Sequence, residues 1–170
     1  FLKPSSYILP AQNSLNDEAV ARIVGFERTV GCVTSISAGV YEPGHVIRTN
    51  SMAGHSFTIG ELNGLITPRV LETVDSLKSL GHCEATQNIW GARWGKLVIN
   101  CMGNSLAGLI GPAFSSLNEE QRDMTNSVRA VTMSEAARVG LTLGIAVEPV
   151  WGIPAREFAE AGTKKEAAAI

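Results

Sequence analysis

The sequence predicts an α+β chain, strand-rich up to about residue 87 and all-helical from residue 88 to residue 170. Two observations carry this expectation. Runs rich in β-branched residues, separated by Pro and Gly turn signals, fill the first half. Three long stretches at helical spacing, with no convincing strand between them, fill the second. A chain of 170 residues suffices for one ordinary domain or for parts of two small ones.

Residues 7–10 are a short apolar run, a strand candidate entering a loop at Gln12-Asn13-Ser14. Asn16-Asp17-Glu18 opens a helix to Val24; its acids lie in the first turn, where the helix dipole favours them, and Gly25 follows its end. Residues 29–37 and residues 46–49, the latter following a Pro43-Gly44 turn, are expected to pair as an antiparallel hairpin. Residues 56–60 are a third strand candidate. Thr67 as N-cap, with Pro68 in the first turn, opens a helix that Gly81 stops, and residues 82–86 are a further strand candidate. Helices are expected over 89–109, 119–143 and 154–170, with Glu148-Pro149 and Trp151 in a turn, Trp151 as a packing residue.

Composition excludes several function classes. The formal net charge is -2, whereas a nucleic-acid binder normally shows a basic face. No Lys/Arg cluster adjoins an apolar run, as a membrane-surface role would need. The longest apolar stretch, residues 97–114, is interrupted by Asn100, Asn104 and four glycines or prolines, so it reads as a buried helix and its exit. A spanning helix needs roughly 20 predominantly apolar residues. Cys32, Cys83 and Cys101 are odd in number and widely spaced, which fits reduced thiols in a cytoplasmic protein. His45, His55 and His82 lack metal-ligand spacing, so no metal site is expected and structural roles are assigned to them. The start at Phe1 and the alanine-rich end without a helix stop suggest a piece of a longer protein.

The chemistry is concentrated in residues 90–105. On a helix at about 100° per residue, Lys96, Asn100 and Asn104 stack at i, i+4 and i+8 within an arc of roughly 80°. Trp90, Trp94, Leu97, Val98, Ile99, Cys101 and Met102 make the rest of the helix apolar, so it should be largely buried. A buried ammonium must find partners or neutralise. In one reading Lys96 snorkels to water and the asparagines bond neighbouring backbone. In the other, the stripe binds an anion or carbonyl in a cleft, with a desolvated lysine suited to proton transfer. Spacing alone leaves both open. Arg93 is assigned to the surface, Cys101 to packing as a small hydrophobe, and Glu135 to a solvated helix face.

Trp94-Gly95-Lys96-Leu97, with Asn100 and Asn104 following, resembles the signature helix of the ketopantoate (2-dehydropantoate 2-) reductase family. Further pieces match in order. Ala11-Gln12-Asn13-Ser14 resembles the family's Gln-Asn-Gly loop, and the stretch from Val24 to Gly31 its helix-to-strand passage. Pro43-Gly44-His45-Val46 and Thr58-Ile59-Gly60-Glu61 resemble its hairpin region. Glu135 and Gly140 sit as in its next helix. The resemblance implies a terminal β-rich part of a Rossmann-like NADPH-binding domain (1–87). It is followed by the start of an all-helical substrate-binding and dimerisation domain of the 6-phosphogluconate dehydrogenase C-terminal type (88–170). It implies NADPH as cofactor, reduction of ketopantoate or a similar 2-keto acid, Lys96 as catalytic acid, Asn100 and Asn104 as substrate-binding, and Asn13 as cofactor-binding. Helical second domains in such reductases often pair, which leaves a homodimer as an expectation.

Three departures stand out. No Gly-x-Gly-x-x-Gly occurs, the family's later substrate-binding serine and glutamate would lie past Ile170, and Ser14 replaces the loop glycine. Since serine tolerates positive φ poorly, a differently shaped loop is expected there. The alternative function is a non-catalytic helical dimerisation module of a degenerate reductase.

Overall fold

Val30 and Cys32, like Phe57 and Ile59, recur at every second position, the period that places side chains on one face of a sheet. In the computed structural model, which describes residues 2–111 and 116–161, they form such a face. The first of two compact units, Phe1–Ile89, runs α1 (Asp17–Val24), β1 (Val30–Thr34), β2 (Ala38–Glu42), β3 (His45–Arg48), β4 (His55–Glu61), α2 (Pro68–Leu77) and β5 (His82–Ala85). β4 is central to a three-stranded sheet, antiparallel to β1 with Cys32 opposite Ile59, and parallel to β5 with Ile59 opposite Ala85. One face packs Val30, Cys32, Phe57 and Ile59 against Val70 and Val74 of α2. Full burial of such aliphatic side chains contributes about 1.5–3 kcal/mol each.

The opposite face needs glycine. Gly31 and Gly60 are register partners across β1 and β4. A Cβ on Gly31 would run into the side chain of Ile89, and one on Gly60 into the Thr86 carbonyl. Glycine in a strand interior marks such a close approach.

The expected hairpin between residues 29–37 and 46–49 does not form. Residues 30–34 pair with β4, and the hairpin is β2 with β3. Burial decides the pairing: Val30 to Val33 are all buried and need a sheet with two covered faces, whereas β2 is almost wholly exposed. Asn50 fixes the switch, its Oδ1 accepting from Ser37 N (3.1 Å) and its Nδ2 donating to the Ser35 carbonyl (2.9 Å). Residues 7–10 contribute one parallel bridge, Ile8 to Thr29.

α2 begins as its sequence dictates. Thr67 is extended (φ −102°), its Oγ1 accepts from Val70 N at 3.4 Å, and Pro68 occupies the first turn. The helix ends in a 3₁₀ turn (Lys78–Leu80) and Gly81 at φ 132°. Beside its start lies a fork: Arg69 Nε donates to Glu61 Oε1 at 2.7 Å and Arg69 Nη2 to Oε2 at 2.6 Å, while Thr67 Oγ1 donates to Oε1 at 2.6 Å. Glu61 is 3% exposed. The hydrogen-bonded guanidinium holds its carboxyl below the usual carboxylate range, against the opposing push of burial.

The second unit, Trp90–Ile170, contains nearly all of α3 (Ile89–Ile110), together with α4 (Glu119–Thr142) and α5 (Ala155–Ala161). The chain is thus α+β, with strands followed by helices. α4 opens with a capping box, Asn118 Oδ1 accepting from Gln121 N and Gln121 Oε1 from Asn118 N. Val98, Met133, Ala137, Val150 and Phe158 form the core. Ser134 Oγ donates to the Ala159 carbonyl at 3.0 Å, tying α4 to α5. Residues 162–170 of the expected last helix, and 112–114 at the exit of the long apolar stretch, lie outside the described residues.

Two expectations are corrected here. Trp151 is exposed at φ 53°, in a turn closed by Val150 and Ile153, and the packing role falls to Val150. Beyond Gly103 the burial of α3 narrows to Leu106, while Ser105, Ala107 and Leu109 are exposed.

Candidate active site

α3 spans the whole lysine–asparagine segment without a break, so Lys96, Asn100 and Asn104 share a helix face as their spacing predicts. Contacts inside the unit fix which face that is. The Glu148 backbone crosses α3 at Gly91, whose carbonyl accepts from Glu148 N at 3.1 Å, and at Gly95, where a Cβ would sit 3.0 Å from the Glu148 carbonyl. Trp94 lies against Gly140 of α4, and Val98 joins the helical core. At about 100° per residue, these positions centre opposite the Lys96–Asn100 arc.

Lys96 is half-buried, and among the described residues it has no ion pair or hydrogen bond. Burial pushes its ammonium below the ordinary lysine value. Asn100 is half-buried too, and its Nδ2 is fully covered without a hydrogen-bond partner among the described residues. Leaving such a donor unmade costs about 1–3 kcal/mol, so it calls for an explanation. Asn104, one turn on, is exposed.

Arg93 departs from expectation. It was assigned to the surface, yet it is 3% exposed. The reason is geometric: at i−3 from Lys96 and i−7 from Asn100 it falls inside the same arc at about 100° per residue. That spacing was the signal available in the sequence, and it extends the stripe by one turn with a second cation.

Asn13 belongs to the first unit and is exposed; its carbonyl accepts from Asn16 Nδ2 at 2.6 Å. Ser14 beside it has φ 76°. Ser14 takes the left-handed conformation that glycine favours and serine tolerates poorly.

Cys101 is half-buried and desolvation raises its thiol, which suits packing and not nucleophilic attack. Glu135 is exposed, as expected. The histidines are not all scattered: His55 and His82, on neighbouring strands, face each other with Nδ1 atoms 3.2 Å apart. No sequence spacing signals this, because it follows from the parallel β4–β5 register.

No family model matches the chain, and no curated protein matches it by sequence. Its resemblance is to solved structures, among them ketopantoate reductases. It is similar to 2-dehydropantoate 2-reductase from Geobacter metallireducens, with 28% identity and a TM-score of 0.66 over 82% of this chain and 46% of that one. The enzyme of the same name from Methylococcus capsulatus matches at 24% identity and a TM-score of 0.65, over 96% of this chain and 51% of that one. A D-mandelate dehydrogenase solved with NADH shares the fold, at 18% identity and a TM-score of 0.70, over 95% of this chain and 51% of that one. The chain therefore spans about half the length of the solved structures it matches.

Proposed function

We propose that this chain is part of a nicotinamide-dependent oxidoreductase that reduces a 2-keto acid to the 2-hydroxy acid, with Lys96 as its proton donor. The observation that supports this most is the pairing, one turn apart on α3, of a half-buried ammonium and a buried amide donor, neither with a partner among the described residues. A stability-driven helix would not keep both; a site that must meet a carbonyl oxygen needs both.

A bound reduced nicotinamide supplies the hydride. As the ketone carbon gains it, negative charge grows on oxygen, where the Lys96 ammonium and the Asn100 amide stabilise it. Lys96 then passes its proton to that oxygen, ending as the neutral amine beside the new hydroxyl. Its lowered pKa eases this transfer. Arg93 adds positive charge to the arc, the sign that a substrate carboxylate requires, and Asn104 can hydrogen-bond the same end.

Toward the cofactor the chain offers only part of a site. It has no Gly-x-Gly-x-x-Gly to cradle a pyrophosphate. Asn13, on its left-handed loop, would meet the nicotinamide end. The family resemblance favours NADPH and ketopantoate in pantothenate synthesis. It also favours a Rossmann-like segment over 1–87 and a 6-phosphogluconate dehydrogenase-type helical domain over 88–170. No described helix is long and apolar enough to cross a membrane; the reading of a cytoplasmic location rests on the odd number and wide spacing of the three cysteines.

The test is substrate-dependent NADPH oxidation by the whole protein and by its Lys96→Ala form. Loss of about 10²–10⁴-fold in turnover, with nucleotide binding retained, is expected. Turnover should also fall as pH rises through the lowered Lys96 pKa, earlier than an ordinary lysine near 10.4 would allow. Unchanged turnover removes the mechanism. A second reading, a helical module that pairs with another copy, is favoured by the exposed Met124, Val128, Val131 and Val139 on α4 and Leu143 just past its end. A whole protein that dimerises yet oxidises no NADPH with any 2-keto acid would select it.

A further inference from the structure

The parallel pairing of β4 with β5 sets His55 directly across from His82, and their Nδ1 atoms lie 3.2 Å apart. Glu84, two residues along the same face of β5, brings its Oε1 to 3.9 Å from His55 Nε2. One ligating atom from each of the three residues lies within 4.8 Å of the others. Nothing in the proposed reductase chemistry uses them. We propose that His55, His82 and Glu84 form a surface site for a borderline divalent cation such as Zn²⁺ or Ni²⁺, which staples the strand β5 to β4.

For His55 the hydrogen-bond network favours the tautomer that such an ion requires. The Glu84 carboxylate can only accept, and Thr58 Oγ1 donates to its Oε1 at 3.5 Å. Thr58 Oγ1 is therefore an acceptor toward His55 Nε2, 2.7 Å away, and that nitrogen carries the proton. His55 Nδ1 is left with its lone pair directed at His82 Nδ1, which donates to it in the absence of metal and gives up that proton, to its own Nε2 or to water, when an ion takes its place. A ligating histidine typically donates its other ring N–H to such an outer partner, which fixes the ring.

The separation also fits. With metal–nitrogen bonds of about 2.0–2.1 Å, two nitrogens on one ion stand roughly 2.9 Å apart at a right angle and roughly 3.3 Å apart at the tetrahedral angle. The observed 3.2 Å lies between these. The Glu84 side chain is 54% exposed and free to swing onto the ion, with water completing the shell. Two imidazoles and a carboxylate select zinc, nickel or copper over magnesium or calcium. Cys83, pointing to the other face of β5, packs with the sheet core and is no ligand.

The test is titration of the chain with ZnCl₂ and NiCl₂ by calorimetry at neutral pH, with thermal melts in parallel. One equivalent should bind, and at about 100-fold over the dissociation constant the ion should favour the folded state about 100-fold, raising the melting temperature. His82→Gln should abolish both effects and Glu84→Gln should weaken binding. Thr58→Val, which removes only the outer partner, should cost about 10–100-fold in affinity. His45→Gln, at an exposed histidine outside the cluster, should bind as the parent does. A bare hydrogen-bonded histidine pair predicts no stoichiometric binding. That result, or a His82→Gln chain of parental affinity and unaltered circular dichroism, overturns the proposal.

Discussion

Replacing Arg69 by Met should destabilise the first unit more than any other single surface-reaching substitution in it. The guanidinium makes two short bonds to Glu61, at 2.7 and 2.6 Å, donates to the Glu27 carbonyl at 2.7 Å, and lies 5.4 Å from the centre of the Tyr7 ring. Methionine keeps much of the stem but leaves Glu61, 3% exposed, with Thr67 Oγ1 as its remaining side-chain donor. Breaking a buried pair from one side costs about 3–5 kcal/mol. The Arg69 side chain is 30% exposed, so the lower end applies, about 3 kcal/mol. With a urea dependence of about 1–3 kcal/mol per molar, the midpoint should fall by about 1–3 M. The pH dependence supplies a second check. Glu61 is depressed in the folded state, so its contribution is present above the unfolded carboxyl value of about 4.3 and is lost as pH falls through the lower folded one. In Arg69→Met the charge is instead a penalty, relieved by protonation. The gap between parent and variant should be full at neutral pH and shrink toward about pH 4. The assay is urea unfolding at both pH values, with amide exchange in β1 and β4 to isolate this unit. A loss under about 1 kcal/mol, or an equal gap at both pH values, refutes the reasoning.

Gly140→Ala would place a Cβ 2.8 Å from Trp94 Cε3 and 2.9 Å from Val147 Cγ2. Overpacking of about 1–3 kcal/mol should outweigh a helix-propensity gain of about 1 kcal/mol, lowering the melting temperature. Ser14→Gly should raise stability by roughly 0.5 kcal/mol, because the left-handed strain relieved exceeds the added unfolded-chain entropy; chemical denaturation of both forms measures it. Asn100→Leu should stabilise the second unit by about 1–3 kcal/mol, since no buried donor is then left unmade, while abolishing turnover of the whole protein. A destabilised Asn100→Leu chain would mean that the amide has a structural partner.

The parts of this fold legible in the sequence are those fixed by local physics. Thr67-Pro68 and Gly81 bracket α2 because capping and φ preferences act within a few residues. Gly25, at φ 99° after α1, is the same kind of signal. The Lys96–Asn100–Asn104 stripe was legible because helical periodicity converts spacing directly into a shared face. What escaped required knowledge of strand partners. β1 holds three β-branched residues and β2 one, which makes residues 29–37 the more evident partner for 46–49, and only the burial of residues 30–33 against β4 decides that β1 leaves the hairpin. The His55–His82 contact is a consequence of that same sheet order. Arg93 was legible in principle, but an arginine beside two tryptophans is ordinarily read as a solvated end of a helix.

The second unit shows why the polar arc of α3 is informative beyond its spacing. Gly91, Gly95 and Gly140 draw one side of the helix into close backbone and ring contact, and Trp94 and Val98 are buried there. That packing stabilises the unit whatever stands on the opposite arc. Leucines at 96 and 100 would be accommodated at lower cost than a desolvated ammonium and an unmade amide, each of which works against folding. Groups that weaken the fold and are nevertheless held on a rigid, well-packed helix are the ones whose benefit appears only when a ligand is present. Under the proposed function, a ketone oxygen would supply the acceptor that both lack among the described residues, so binding would recover the free energy that folding gave up, at the atom where reduction develops charge.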